Sequence, residues 1–190
     1  MNNGSTPPIE GEYTYVFLDG IWLKRCWAGE VRNVSILVAI GVEQDGYRYV
    51  LGVQESAKKD KKSWHKFLRR LKIRGLKGVK LFVSDKCLGL VEFLADFYPQ
   101  GQWQRCVVHS YRNVFTAVPK GRVKEVAAML KAIHAQKDRQ AAEEKIAAVT
   151  KKLKSMKLTH AAKIVEETEA FILPVLTLWL FAINIQLILA

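Results

Sequence analysis

Three strand-like runs followed by an abrupt change of period constrain this chain most. Tyr13 to Leu18 is short, aromatic and β-branched, and it runs into Asp19-Gly20. Asn33 to Val42 is a second apolar run, rich in Val and Ile. Gln44-Asp45-Gly46 is a turn signal, and Tyr47 to Val53 follows as a third run. Two such runs around a glycine-containing turn predict an antiparallel hairpin. From Lys61 to Ile73 the period becomes helical: Trp64, Phe67, Leu68 and Leu71 recur at i, i+3, i+4 and i+7, the spacing of one helix face. Gly75 and Gly78 end that helix. Val79 to Val83 reads as a buried strand ending at Ser84-Asp85, Leu88 to Tyr98 as a helix stopped by Pro99, and Gln102 to Val108 as a fifth strand. The order β-β-β-α-β-α-β predicts an α/β fold, a mixed sheet with helices packed on it.

After Pro119-Lys-Gly121 the composition shifts. Residues 122–168 are rich in Ala, Lys and Glu, with Val126, Met129, Leu130 and Ile133, then Ile146, Val149 and Leu153, at helical spacing. Two or three amphipathic helices are expected there. Residues 1–12 read as a flexible lead-in without a signal-peptide h-region. The chain has 190 residues, 49% of them apolar and 25% charged, which excludes a disordered, collagen-like or purely coiled-coil chain. Its net charge of +12 favours a polyanionic partner, nucleic acid or an acidic membrane face. Three widely spaced cysteines, Cys26, Cys87 and Cys106, suit a reducing cytoplasm better than a secreted disulfide framework.

Two aspartates carry the strongest chemical signal. Asp19 closes the first predicted strand and Asp85 the fourth. If those strands are parallel neighbours, both carboxylates emerge on one sheet edge. Two carboxylates about 4 Å apart repel by roughly 4 kcal/mol at an effective dielectric near 20, and a divalent cation between them removes that cost. From spacing alone the commoner reading of each is a turn residue or a helix cap. Cys106 and His109 form a single C-x-x-H pair, a weak zinc signal that a buried thiol and a capping histidine explain as well. Lys58 to Lys80 holds 11 basic residues and one acid, Asp60. Lys58, Lys59, Lys61, Lys62, Lys66, Arg69 and Arg70 are its candidate DNA-backbone contacts, against the alternative of a solvated helix face. Arg105 and Arg112 could contact phosphates or stand on the solvated surface. His65, His134 and His160 read as surface residues, and Trp22, Trp27 and Trp103 as packing residues.

Tyr15-Val-Phe-Leu-Asp-Gly-Ile-Trp-Leu-Lys24 resembles the first-aspartate block of the bacterial mutator-type (IS256-like) transposases. Ser84-Asp85, Cys87 to Glu92 and Trp103 to Val114 resemble the next blocks in the same order, and the likeness runs from about Gly11 to Glu167. The resemblance implies an RNase H-like catalytic domain of the DDE type. Its acidic triad binds Mg²⁺ or Mn²⁺ and joins element ends to target DNA, with Asp19 and Asp85 as the two aspartates and Cys106 and His109 near the site. Residues 13–119 would then be a partial catalytic domain and 120–169 an all-helical insertion. Residues 170–190 form an apolar tail unlike the family. Two family features have no counterpart: an end-recognition region before the first block, and a third acid on a helix after the insertion. Glu166, Glu167 and Glu169 still belong to the insertion. Lys86 stands where the family usually has a small residue. A truncated transposase, inactive alone, is therefore expected in the cytoplasm, acting on DNA as a homo-oligomer or mixed with an intact transposase. The alternatives are a non-catalytic DNA-binding remnant and a basic protein anchored in the inner membrane by its tail. Phe171 to Ala190 carries no charge, and 20 helical residues span about 30 Å, one bilayer core. A tail that packs on the unfinished sheet is the competing outcome.

Overall fold

The computed structural model describes residues 7–172 apart from 28, 57–59 and 86–88, with side chains described to residue 167 and that of Trp27 excluded. The expected lead-in up to residue 6, Lys58, Lys59, Lys86, Cys87 and the tail from 173 lie outside the described residues. The strands are β1 (Tyr15–Trp27), β2 (Glu30–Val42), β3 (Arg48–Ser56), β4 (Leu81–Ser84) and β5 (Gln102–Arg105). The helices are α1 (Lys61–Ile73), α2 (Leu90–Phe97), α3 (Val107–Thr116), α4 (Val123–His134), α5 (Arg139–Ser155) and α6 (Thr159–Ile172). The strands form one mixed sheet in the order β3-β2-β1-β4-β5. β1 pairs antiparallel with β2 and parallel with β4. The mixed α/β fold expected from the sequence is what forms.

Two strand boundaries differ from the sequence reading. β1 does not stop at Asp19: residues 21–27 continue it, paired with β2 out to Trp27 opposite Glu30. The predicted fifth strand stops at Arg105, and Val107 and Val108 begin α3. β-branched residues favour either state weakly, and β4 is only four residues long, so it offers Val107 and Val108 no ladder.

The chain divides into two compact units, 1–103 and 104–190. In the first, α1 and α2 cover one sheet face. Trp64, Phe67, Leu68 and Leu71 of α1, all at most 1% exposed, join Val16, Leu18, Leu37, Ala39 and Leu51 in one core. α1 comes close because Gly52 has no side chain: a Cβ there would stand 3.0 Å from Leu71 Cδ2. Asp60, the single acid of the basic segment, is its N-cap and accepts from Ser63 N at 2.9 Å, a contact that stabilises a helix by about 1 kcal/mol. Its other end is a Schellman turn: Leu76 N donates to Leu71 O and Gly75 N to Lys72 O, with Gly75 at φ 100°.

In the second unit, α3 to α6 enclose a separate core that includes Val114, Val118, Val126, Leu130, Ile146, Leu153 and Ala162. The composition change at Pro119 falls inside this unit, because Val114 of α3 and Val118 just after it belong to the same core. α5 ends in the same turn geometry as α1, with Leu158 N bonded to Leu153 O and Lys157 N to Lys154 O. Here the left-handed position is a lysine, Lys157, at φ 61°. A side chain in that region costs roughly 1 kcal/mol relative to glycine. Lys157→Gly is therefore expected to raise the urea midpoint by an amount worth about 1 kcal/mol. A lowered midpoint would show that Lys157 carries compensating contacts.

Candidate metal-binding edge and cationic helix

The parallel register between β1 and β4 pairs Tyr15 with Leu81, Val16 with Phe82, Phe17 with Val83 and Leu18 with Ser84. Asp19, within β1, and Asp85, just past the end of β4, follow this last pair. The condition for the two carboxylates to share a sheet edge, parallel neighbouring strands, is thus met. Asp19 is not at a strand end, as the sequence suggested, but at the point where β1 outruns β4. Nor is it in a turn before Gly20, since both residues lie within β1. Asp85 is not the cap of α2, whose N-cap is Gly89. Both aspartates are half-buried. Asp19 Oδ1 accepts from Gly20 N at 2.7 Å. Behind Asp85 runs a short relay. Trp103 Nε1 donates to Ser84 Oγ at 2.8 Å, and Ser84 Oγ donates to the Asp85 carbonyl at 3.0 Å. Ser84 is 2% exposed, so the relay ties the Asp85 backbone to β5 from inside. Trp103, read from the sequence as packing alone, thus also positions the strand end. The signal for that role was its place in β5, which only the sheet order puts beside β4. Among the described residues no three His, Cys, Asp or Glu side chains gather as a metal cage.

α1 is amphipathic as its spacing predicts. Lys61, Lys62, Lys66, Arg69 and Arg70 are all exposed on the face away from the core. Lys61 is not available as a free cation: its Nζ lies 2.5 Å from Glu92 Oε2 and 5.4 Å from the Phe93 ring centroid. Arg74, further along, bonds the carbonyls of Pro7 and Leu51, and burial lowers its pKa. His65 is half-buried, its ring edge-on to Phe93 at 4.7 Å and tilted on Phe97 at 5.2 Å. Trp22, expected to pack, is 54% exposed, because it lies on the extension of β1 beyond its pairing with β4.

In the second unit Cys106 is the N-cap of α3 and His109 its third helical residue. Cys106 makes no side-chain capping hydrogen bond there. Cys106 is half-buried and in no disulfide. Arg112 is exposed. Arg105 is only 8% exposed, which removes it from the solvated surface. His134 corrects the sequence reading: it is 9% exposed, stacked at 5.4 Å on Tyr111. Burial lowers its pKa to about 4 and raises that of Tyr111. The signal was available, since His134 follows Val126 and Leu130 at helical spacing on the apolar stripe of α4. His160 is exposed as expected. Glu166 and Glu167 are exposed on α6, and Glu166 is paired with Lys154 at 2.7 Å. No described helix is long and apolar enough to cross a membrane, and the anchor expected at 171–190 falls almost wholly outside the described residues.

The fold is a mixed α/β unit with an aspartate in or just past each strand of a parallel pair and a cationic helix on the same unit. The chain belongs to the Mutator family of transposases, whose family model matches residues 1–181. That match runs beyond Glu167, where the motif resemblance stopped. The chain is 35% identical over 160 residues to the transposase for insertion sequence element ISRM5 of Rhizobium meliloti, covering 84% of this chain and 40% of that protein. It is 40% identical over 134 residues to the transposase for IS1081 of Mycobacterium tuberculosis, covering 70% and 32%. It is 35% identical over 124 residues to the transposase for IS256 in transposon Tn4001 of Staphylococcus aureus, covering 65% and 32%. The chain thus spans between a third and two fifths of the length of these relatives.

Proposed function

We propose that this chain is the part of an insertion-element transposase that holds a catalytic divalent cation and grips DNA. The observation that supports the reading is the parallel β1/β4 register, whose last pair is Leu18 with Ser84, the residues just before Asp19 and Asp85. Two half-buried carboxylates present hard oxygen donors, and Mg²⁺ and Mn²⁺ are the ions such donors suit. A bound ion would offset the carboxylate repulsion and, in phosphodiester chemistry, polarise the phosphate and the attacking oxygen. The role of this chain's own residues is to hold the ion. Ser84 and Trp103 keep the Asp85 backbone in place, and the Gly20 amide orients one Asp19 oxygen. The mixed sheet with helices supports the RNase H-like assignment that the motif resemblance implies. On this reading the exposed cations of α1 meet DNA phosphates, while for Arg112, Cys106 and His109 of the second unit only the motif resemblance suggests a role. DNA strand cleavage and transfer is the reaction class that these features and the relatives' names point to.

The test is calorimetric titration of the chain with Mn²⁺. The wild type is expected to bind weakly, and Asp85→Asn to weaken that binding at least about tenfold, as loss of one of two charged ligands should. Asp19→Asn should do the same. Binding undiminished in both variants would sink the reading.

A further inference from the structure

We infer that Trp22 stacks on an unpaired base of the DNA strand being processed and so positions that strand at the β1 edge. The inference rests on the reading of this edge as the DNA-cleaving site. β4 pairs with β1 only as far as Leu18, and β3 pairs with β2 only as far as Ser35, the partner of Trp22. Beyond that row β1 and β2 run on as a two-stranded ribbon, Leu23 to Trp27 against Glu30 to Val34. Trp22 stands at the root of the ribbon and is 54% exposed. An indole offers the largest flat surface of any side chain, and the platforms on which single-stranded nucleic acid stacks its bases are built from such rings.

The two faces of the ribbon differ in charge. The Trp22 face carries Lys24 opposite Asn33, both exposed, and no acid. On the other face the charges are paired, Arg25 with Glu55 at 2.8 Å and Arg32 with Glu30 at 2.7 Å. A ring with a cation and an amide beside it is the set a single strand of DNA takes, stacking for the base and charge or hydrogen bonds for the backbone. The strand pairing also fixes where the ring stands. Trp22, Ser35 and Ser56 are successive partners across three strands, and Ser56 Oγ donates to Ser63 Oγ of α1 at 2.6 Å. Trp22 is thus two strand spacings, about 10 Å, from the row's contact with the cationic helix. Asp19 lies three residues back along β1, also about 10 Å away, on the opposite face. A strand whose phosphates lie on α1 and which crosses the β1 edge toward Asp19 passes the indole. Within a duplex each base is covered by its neighbours, so only an unpaired base can lay its face on the ring.

Fluorescence anisotropy of the full chain with two labelled duplexes is the experiment. One duplex carries a single-stranded overhang of thymines, the other the same overhang built of abasic sites. The wild type should bind the base-bearing overhang about tenfold more tightly than the abasic one, as stacking of one base should give. Trp22→Ala should lose that preference by weakening on the first probe and not on the second, and Trp22→Phe should keep most of it. The salt slope should be the same in all three proteins, because an indole neutralises no phosphate. A wild type that binds with a steep salt dependence but without preferring bases would overturn the inference and leave the DNA reading standing. A wild type that binds neither probe would overturn both. Equal weakening of Trp22→Ala on the two probes would also overturn the inference, and would assign the ring to the shape of the ribbon.

Discussion

Replacing Lys62, Lys66, Arg69 and Arg70 together by Ala is expected to weaken DNA binding about a hundredfold at low salt. It should also flatten the salt dependence. Each phosphate contact made by a cation contributes close to one unit to the slope of log affinity against log salt. Losing four therefore removes up to about four units. The variant keeps its fold, because all four side chains are exposed and Ala is at least as good a helix former as Lys or Arg. Lys61 is left intact because its partner is Glu92. Its removal would unsettle the contact between α1 and α2 and confuse the reading. An electrophoretic mobility shift at several salt concentrations measures both quantities. An unchanged slope in the variant would exclude α1 as the DNA contact.

Acidification should destabilise the second unit by about 3 kcal/mol, and His134 should account for it. Its folded pKa is about 4 against an ordinary 6.5, so the unfolded chain binds the proton more readily. The stabilising term is complete above pH 6.5, declines as pH falls from 6.5 to 4, and is gone below that. A difference of about 2.5 pKa units corresponds to roughly 3 kcal/mol. The cause is geometric. The imidazole is 9% exposed against Tyr111, and charging it there means desolvating a cation. Urea midpoints at pH 7 and pH 4.5 should separate widely for the wild type. For His134→Phe, which keeps an aromatic ring against Tyr111, they should separate by about 2–3 kcal/mol less. Equal losses in the two proteins would assign the acid sensitivity to other groups.

The amino-acid sequence by itself determined what depends on neighbours along the chain. α1 occupies Lys61–Ile73, as its spacing predicts, because the cap at Asp60, the apolar stripe and Gly75 all act within one helix length. The existence of three early strands and of helices after Pro119 followed from period and composition for the same reason. Motif order was also enough to indicate the family.

What only the tertiary structure decided depends on residues far apart in sequence. Asp19 and Asp85 are 66 positions apart. No local pattern states that β1 and β4 are parallel neighbours; that is a property of sheet order. The same holds for Trp103 behind Asp85. β1 runs on to Trp27 because β2 supplies thirteen pairing residues, whereas Val107 and Val108 turn into a helix because β4 ends first. His134 is buried because the stripe of α4 that carries it packs into the second unit's core, its ring against Tyr111 of α3. Helix periodicity says which face a residue is on, but only packing says whether that face meets protein or water.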